Sequence, residues 1–259
     1  MKKGVYLIPN SITLMGTTCG FYSIISTLNQ NWEHAAWAIL LATIFDALDG
    51  WVARLTNSAS KFGVQLDSLS DLLTFCVAPA ILLYSWKLHD CVYHLQGRET
   101  AVRLGWAVTL FFVLCGAMRL ARFNVQSDTV ESRSFTGMPT PGAAVCMASG
   151  VLVFMKYEID FTGMIYVLAG LMFLMDILMV SNIRYVSAKD YLMMKRKPFW
   201  MLVLLAAIVG LIVVDPPVML FTTSLVYVAS GLIDEAVRLV RHKPRQNAQP
   251  QPPQPRRAA

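Results

Sequence analysis

The chain has 259 residues, of which 56% are hydrophobic and only 15% are charged, and its formal net charge is +6. A soluble domain carries roughly a quarter charged residues, so this composition excludes an ordinary water-soluble globular protein. The apolar residues occur in blocks of about 20, the helix length that crosses ~30 Å of hydrocarbon. Because isolated strands leave backbone groups unsatisfied in lipid, these blocks predict an all-α fold, a polytopic transmembrane helical bundle.

Eight blocks are predicted to span the membrane, at 11–29, 32–54, 64–88, 101–123, 140–158, 160–181, 199–215 and 217–236. An even number of spans returns the C-terminus to the side of the N-terminus. If that side is cytoplasmic, then of 22 Lys and Arg residues only Lys87, Arg98, Arg103 and Lys156 face the opposite side. Both termini are therefore predicted to be cytoplasmic by the positive-inside rule. The basic charge is explained by this placement, so no nucleic-acid partner is expected.

We predict one transmembrane domain over 1–240, with a six-span catalytic core at about 8–190 and two further spans within 199–236. The segment 241–259 is rich in Pro and Gln and carries several basic residues. Such a composition cannot build a packed core, so this segment is expected to be a disordered cytoplasmic tail, held weakly by anionic membrane lipids.

Cysteine and histidine chemistry is not indicated. The five cysteines show no C-x-x-C spacing, so neither a disulfide framework nor a zinc site is predicted. His34, His89, His94 and His242 have no spacing that suggests a Ser-His-Asp arrangement.

Four aspartates lie where the second and third spans approach their connecting loop, namely Asp46, Asp49, Asp67 and Asp71. The i,i+3 and i,i+4 spacings place each pair on one face of its helix. Because the two helices run antiparallel, Asp46 should lie at the same depth in the membrane as Asp71, and Asp49 at the same depth as Asp67. The spacing therefore predicts that all four carboxylates converge on one pocket near the cytoplasmic surface.

A divalent cation would relieve this concentration of negative charge. Insertion of one aspartate at the centre of a membrane helix costs about 2.5–3.5 kcal/mol. Clustered carboxylates favour Mg²⁺, Mn²⁺ or Ca²⁺, and four of them suffice for two ions. Such ions suit a pyrophosphate substrate. Gly50 and Ala53, on the same side of the helix, either admit a ligand or permit close helix packing.

The pattern Asp46-x-x-Asp49-Gly50-x-x-Ala53-Arg54-x8-Gly63-x3-Asp67-x3-Asp71 resembles the signature of the CDP-alcohol phosphatidyltransferases, with every fixed position present. The resemblance implies a metal-dependent attack by an alcohol on the β-phosphate of a CDP-linked lipid, with release of CMP, in a homodimeric enzyme. It implies that the four aspartates bind metal and that Asp71 also acts as the general base. It further implies nucleotide contacts from Asn10, Thr13, Gly50, Ala53, Arg54 and Gly63.

Three later stretches of the sequence indicate the acceptor alcohol, namely RLARFN, FTGMPTP and VSNIRYVSAK. Together they resemble the bacterial phosphatidylserine synthases of this superfamily, over a region from about Ile8 to Lys189. The resemblance implies transfer from CDP-diacylglycerol to L-serine in a bacterial inner membrane, with the active site facing the cytoplasm. Arg119, Arg122 and Asn124 are the candidates for contacts to serine, because guanidinium groups bind carboxylates bidentately. The alternative for the two arginines is simple anchoring at the membrane surface.

Two other functions stay open at this point. The same chemistry could use choline, glycerol 3-phosphate or inositol phosphate as the acceptor, although no aromatic group beside the motif suggests a choline site. A cation transporter would also place aspartates within the membrane, and Asp176 would join its path. In the enzyme, Asp176 is expected to pair with Arg119, Arg122 or Lys189.

Overall fold

The computed structural model describes residues 7–56, 58, 60–88, 99–127, 137–161, 163–181, 183 and 214–241. Within these residues the chain forms helices and no strand, as the composition predicts. The helices are α1 (Leu7–Leu28), α2 (Trp32–Leu55), α3 (Lys61–Leu88), α4 (Glu99–Ser127), α5 (Thr140–Lys156), α6 (Met164–Val180) and α7 (Pro216–Arg241). Seven predicted spans correspond to these helices. The predicted span 199–215 falls almost entirely outside the described residues.

Four of the described helices are long and apolar enough to cross a membrane, over Trp32–Leu55, Lys61–Leu88, Gly105–Val125 and Pro216–Ile233. Helices α5 and α6 are apolar but shorter. Helix α1 has 22 residues and many hydroxyl side chains, and it is not among these four. The structure therefore supports a helical membrane protein, while the count of eight spans and the side of the termini stay predictions.

Small side chains allow the helices to pack closely. Helix α1 packs along α2 and then along α3, while α4 packs on α6 and α5 packs on α7 and α2. The buried side of α2 is formed by Ala35, Ala36, Ile39 and Ala42. Such small residues bring helix backbones near one another, which favours helix association in lipid through van der Waals packing.

Helix α3 changes its winding along its length. A π-helical segment, Leu72–Val77, follows directly after Asp71, and a second covers Tyr84–Leu88. The regular turns between them, Ala78–Leu83, begin with Pro79 near their start. π-Helical turns are rare and frequently occur at functional sites. The first of these segments borders the predicted aspartate pocket.

The segment before α5 is fixed on the C-terminal end of α6. The Gly137 N–H donates to the Ile183 carbonyl at 2.8 Å, and the Met138 N–H donates to the Leu178 carbonyl at 3.0 Å. Gly137 has a φ of 83°, and a Cβ at this position would lie 2.5 Å from the Met179 carbonyl oxygen. Only glycine meets both requirements. Parts of the FTGMPTP and VSNIRY stretches are thereby brought together.

The contact between α3 and α4 can be tested at Gly105. A Cβ placed on Gly105 would lie 2.8 Å from the Leu88 carbonyl oxygen, so Gly105→Ala forces two backbones apart. We expect a loss of about 1–3 kcal/mol in the free energy of unfolding, seen as a lower thermal midpoint in detergent. Gly170→Ala in α6 is the matched control, because no atom of the described residues lies within 4 Å of its added Cβ. Equal midpoints for the two variants would contradict this helix contact.

Candidate metal centre

The four aspartates line one cleft between α1, α2 and α3. Asp46 and Asp49 come from α2, and Asp67 and Asp71 come from α3, as the helical spacing predicts. The Asp49 side chain is the most enclosed, with the residue 5% exposed, whereas the other three are half-buried. Thr13 and Gly16 of α1 close the cleft on its third side, so α1 contributes directly to the site.

Three of the carboxylates are close enough to share one cation. Asp46, Asp49 and Asp67 each offer an oxygen, and the three oxygens lie within 4.8 Å of one another. Oxygens on opposite sides of one ion are about 4.2 Å apart for Mg²⁺ and about 5 Å apart for Ca²⁺, given their usual bond lengths. The donor set and its spacing therefore fit a hard divalent cation. Asp71 lies outside this group of three but close to the Asp46 carboxyl.

Hydroxyl groups of α1 hold the acidic helices in place. The Thr13 hydroxyl donates to Asp49 Oδ2 at 2.6 Å, and the Thr17 hydroxyl donates to Ser70 Oγ at 2.7 Å. Hydrogen bonds to the outer side of a ligating carboxylate fix its orientation. The sequence resemblance implied a nucleotide contact for Thr13, and it gave no role to Thr17 or Ser70. The i,i+4 spacing of Thr13 and Thr17 was the sequence signal that could have placed both hydroxyls on the face of α1 that contacts the acidic helices.

The side of the cleft beside α2 is open. A Cβ added at Gly50 would meet nothing within 4 Å, so close helix packing at this glycine is not found in the described structure. Ala53 is half-buried and Arg54 is exposed. Across the cleft mouth, a Cβ on Gly63 would lie 3.1 Å from Asn10 Oδ1, which places the starts of α1 and α3 side by side. Nucleotide contacts from these residues stay a prediction that this open space permits.

Arg119 is part of the site edge rather than a free surface anchor. Its Nη1 donates to the Thr140 hydroxyl oxygen at 3.0 Å, and Thr140 itself is fully buried. The guanidinium is near enough to Asp71 and Asp46 for its charge to interact with theirs. The buried Nε has no hydrogen-bond partner among the described residues. Sequence reasoning selected Arg119 but missed Thr140, which holds it.

Of the other two acceptor candidates, Asn124 is the better placed. Its Nδ2 lies 2.9 Å from Ser68 Oγ on α3, adjacent in sequence to Asp67. Arg122 is half-buried, one turn beyond Arg119 on the same helix. Helix α4 thus lies beside the acidic residues through Arg119, whose charge interacts with Asp71, and through Asn124, which contacts α3. The serine contacts of all three residues stay predictions.

The expected pairing of Asp176 with Arg119 or Arg122 is wrong. Asp176 in α6 is 0% exposed, and neither of its carboxyl oxygens has a hydrogen-bond partner within the described part of the chain. Arg119 instead turns to Thr140 and the acidic cleft, while Asp176 lies near Cys115. The third expected partner, Lys189, is outside the described residues.

Comparisons with known proteins identify the family of the chain. The model of the CDP-alcohol phosphatidyltransferase family matches residues 6–180, which include α1 to α6 and leave out α7. A CDP-diacylglycerol–serine O-phosphatidyltransferase of Helicobacter pylori is 39% identical over 185 residues, covering 71% of this chain and 74% of that protein. An archaetidylserine synthase of Methanothermobacter thermautotrophicus is 37% identical over 180 residues, covering 69% of each chain. A CDP-diacylglycerol–serine O-phosphatidyltransferase of Saccharomyces cerevisiae is 38% identical over 162 residues, covering 54% of each chain.

The hydrogen bond from Thr13 to Asp49 should strengthen cation binding. Thr13→Val removes the donor and retains the side-chain shape, so we expect a 10- to 100-fold weaker affinity for Mn²⁺. Binding is measured from the electron paramagnetic resonance signal of free Mn²⁺ in a titration of the purified protein. Thr18→Val is the control, because within the described part of the chain the exposed Thr18 hydroxyl donates only to the Leu14 carbonyl. An unchanged Mn²⁺ affinity in Thr13→Val would contradict a role for Thr13 in cation binding.

Proposed function

Because the chain belongs to the CDP-alcohol phosphatidyltransferase family, we propose that it transfers the phosphatidyl group of CDP-diacylglycerol to L-serine, giving phosphatidylserine and CMP. The observation that carries the choice of acceptor is the set of relatives from a bacterium, an archaeon and a yeast. Their names differ in the lipid that is transferred and agree on serine. The acidic cleft supports the proposal, because its clustered carboxylates suit a divalent cation that would act at a pyrophosphate.

In this proposal the divalent cation is Mg²⁺ or Mn²⁺, and it would be held by Asp46, Asp49 and Asp67. Asp71 would complete a site for a second ion. Support comes from the three carboxylate oxygens within 4.8 Å of one another. A bound cation neutralises charge on the pyrophosphate of the CDP-linked lipid and on the departing CMP. A nucleotide contact at Gly50 is supported by the open space there, since no described atom lies within 4 Å of an added Cβ.

Asp71 is the proposed general base. It lines the cleft close to Asp46 but outside the group of three, which supports a role separate from the first cation. Asp71 takes the proton of the serine hydroxyl as the serine oxygen attacks the β-phosphorus of the CDP-linked lipid. The bond from this phosphorus to the bridging oxygen breaks, and CMP leaves with that oxygen. Arg119, held by Thr140 next to Asp71, is placed to bind the serine carboxylate.

The location and assembly of the enzyme follow from the same proposal. The site faces the cytoplasm of a bacterial inner membrane, where CDP-diacylglycerol enters from the lipid and serine and CMP exchange with water. The excess of Lys and Arg on the predicted cytoplasmic side supports this orientation. The homodimer that the family resemblance implies remains a prediction.

The reaction is tested by CMP release from purified protein in detergent with CDP-diacylglycerol and Mn²⁺, across a panel of acceptors. We expect release that depends on serine, that EDTA stops, and that excess Mn²⁺ restores. Release with choline, glycerol 3-phosphate or inositol phosphate in place of serine would overturn the acceptor and retain the cation chemistry. No release with any acceptor from folded protein would contradict the transferase itself.

Asp71→Asn tests the general base. The amide cannot accept the serine proton, so we expect kcat to fall by about 10²- to 10⁴-fold. Binding of CDP-diacylglycerol, measured by calorimetry, should change by less than about threefold. Asp160→Asn is the control, since Asp160 pairs with Lys87 away from the cleft. Loss of lipid binding together with turnover would contradict the role as base and make Asp71 chiefly a ligand of the second cation.

A further inference from the structure

Helix α7 lies outside the residues that match the family model, and it packs lengthwise against α5. At the end of α5, Lys156 forms an ion pair with Asp215, the residue before α7. Further along α7, the Phe221 ring meets the Phe154 ring edge to face, with centroids 6.3 Å apart. A Cβ added to Gly150 would lie 3.1 Å from the same Phe221 ring. The two helices are therefore antiparallel, and α7 runs from the end of α5 back toward its start.

This direction brings Tyr227 of α7 to the first turn of α5. A Cβ added to Gly142 would lie 3.9 Å from Tyr227 Cε1, the ring atom next to the carbon that bears the hydroxyl. Gly142 comes two residues after Thr140, whose hydroxyl oxygen accepts the hydrogen bond from Arg119 Nη1. The half-buried Tyr227 side chain is also near enough to the Arg119 guanidinium for the two groups to interact electrostatically. The hydroxyl end of the ring thus lies beside the turn that holds Arg119.

The bond to Thr140 alone does not fix the orientation of the Arg119 guanidinium. Arginine carries five N–H donors in a planar fork, and this bond engages only one nitrogen. The buried Nε has no hydrogen-bond partner among the described residues. The other restraints on the fork are the polar groups around it, among them the carboxyl of Asp71 in the cleft and the phenol of Tyr227 on α7. Helix α7 therefore contributes to the surroundings of a residue that the sequence pattern placed at the site.

We propose that Tyr227 is a positioning residue, whose ring supports the first turn of α5 and whose hydroxyl orients the Arg119 guanidinium toward the serine carboxylate. The inference rests on the proposed function, in which Arg119 binds that carboxylate. Tyrosine suits this role because its rigid ring packs at low cost in conformational entropy while its hydroxyl remains polar. Helix α7 would thereby extend the serine site beyond the region that the family model matches.

Two substitutions test this role by separate measurements of KM and kcat. Tyr227→Phe keeps the ring and removes the hydroxyl, whereas Tyr227→Leu removes both. We expect the KM for serine to rise at least about threefold in Tyr227→Phe and about tenfold in Tyr227→Leu, because a misplaced guanidinium binds the carboxylate poorly. In Tyr227→Phe, kcat and the KM for CDP-diacylglycerol should stay within about twofold of wild type, since neither depends on the orientation of Arg119.

Tyr157→Phe is the matched control. Its hydroxyl donates to Asp215 Oδ2 at 3.1 Å, at the opposite end of the contact between α5 and α7. This variant also removes one tyrosine hydroxyl from that contact, so any general loosening of α7 should appear in it. We expect its serine KM to equal that of wild type.

A double-mutant cycle with Arg119→Lys shows whether Tyr227 acts through the guanidinium. Lysine keeps the charge but lacks the planar fork, so Tyr227→Phe should change the serine KM by less than about twofold in this background. A wild-type serine KM in Tyr227→Phe, an equal rise in the lipid KM, or full additivity with Arg119→Lys would overturn the role of Tyr227 and leave the proposed function intact. Absence of serine-dependent CMP release from the wild-type protein would contradict the proposed function, and this role with it.

Discussion

The constraint on which the site depends is the burial of like charges between apolar helices. Asp46, Asp49 and Asp67 bring oxygens within 4.8 Å of one another, and Asp71 lies close beside them. Like charges at this separation repel, and burial reduces the solvation that would otherwise stabilise them. Thr13 supplies a single hydrogen bond to this group. A divalent cation is the partner that such a set of oxygens fits, and the same ion is what chemistry at a pyrophosphate requires.

The helices around the cleft are shaped to meet that constraint. The buried side of helix α1 carries hydroxyls that hold α2 and α3, through Thr13 and Thr17. Gly20 lets α1 approach α3 at the π-helical turn that follows Asp71. On the other side, Thr140 at the start of α5 fixes Arg119 next to the carboxylates. Hydroxyl groups, a glycine and a π-helical turn each weaken a membrane helix, and here they lie around the acidic cleft.

The aspartate cluster was predictable from the sequence because it depends on local geometry. The spacings from Asp46 to Asp49 and from Asp67 to Asp71 are fixed by helical periodicity, and a short loop makes the two helices antiparallel. The apolar blocks likewise predicted the described helices to within a few residues at most ends. The contact of Arg119 with Thr140 was not predictable, because it joins two different helices. The periodicity of the sequence does not determine how these helices are rotated relative to each other. For the same reason the partner expected for Asp176 was wrong, and the π-helical turns had no signal in the hydrophobic pattern.

The most direct test of the cation centre is a crystal structure of the protein with Mn²⁺, with data collected at the manganese absorption edge. An anomalous difference peak bounded by the carboxylates of Asp46, Asp49 and Asp67 is the predicted result, with Asp71 at its edge or on a second peak. A site without anomalous signal at saturating Mn²⁺, or a peak bound elsewhere in the bundle, would contradict the claim that these aspartates form a metal centre.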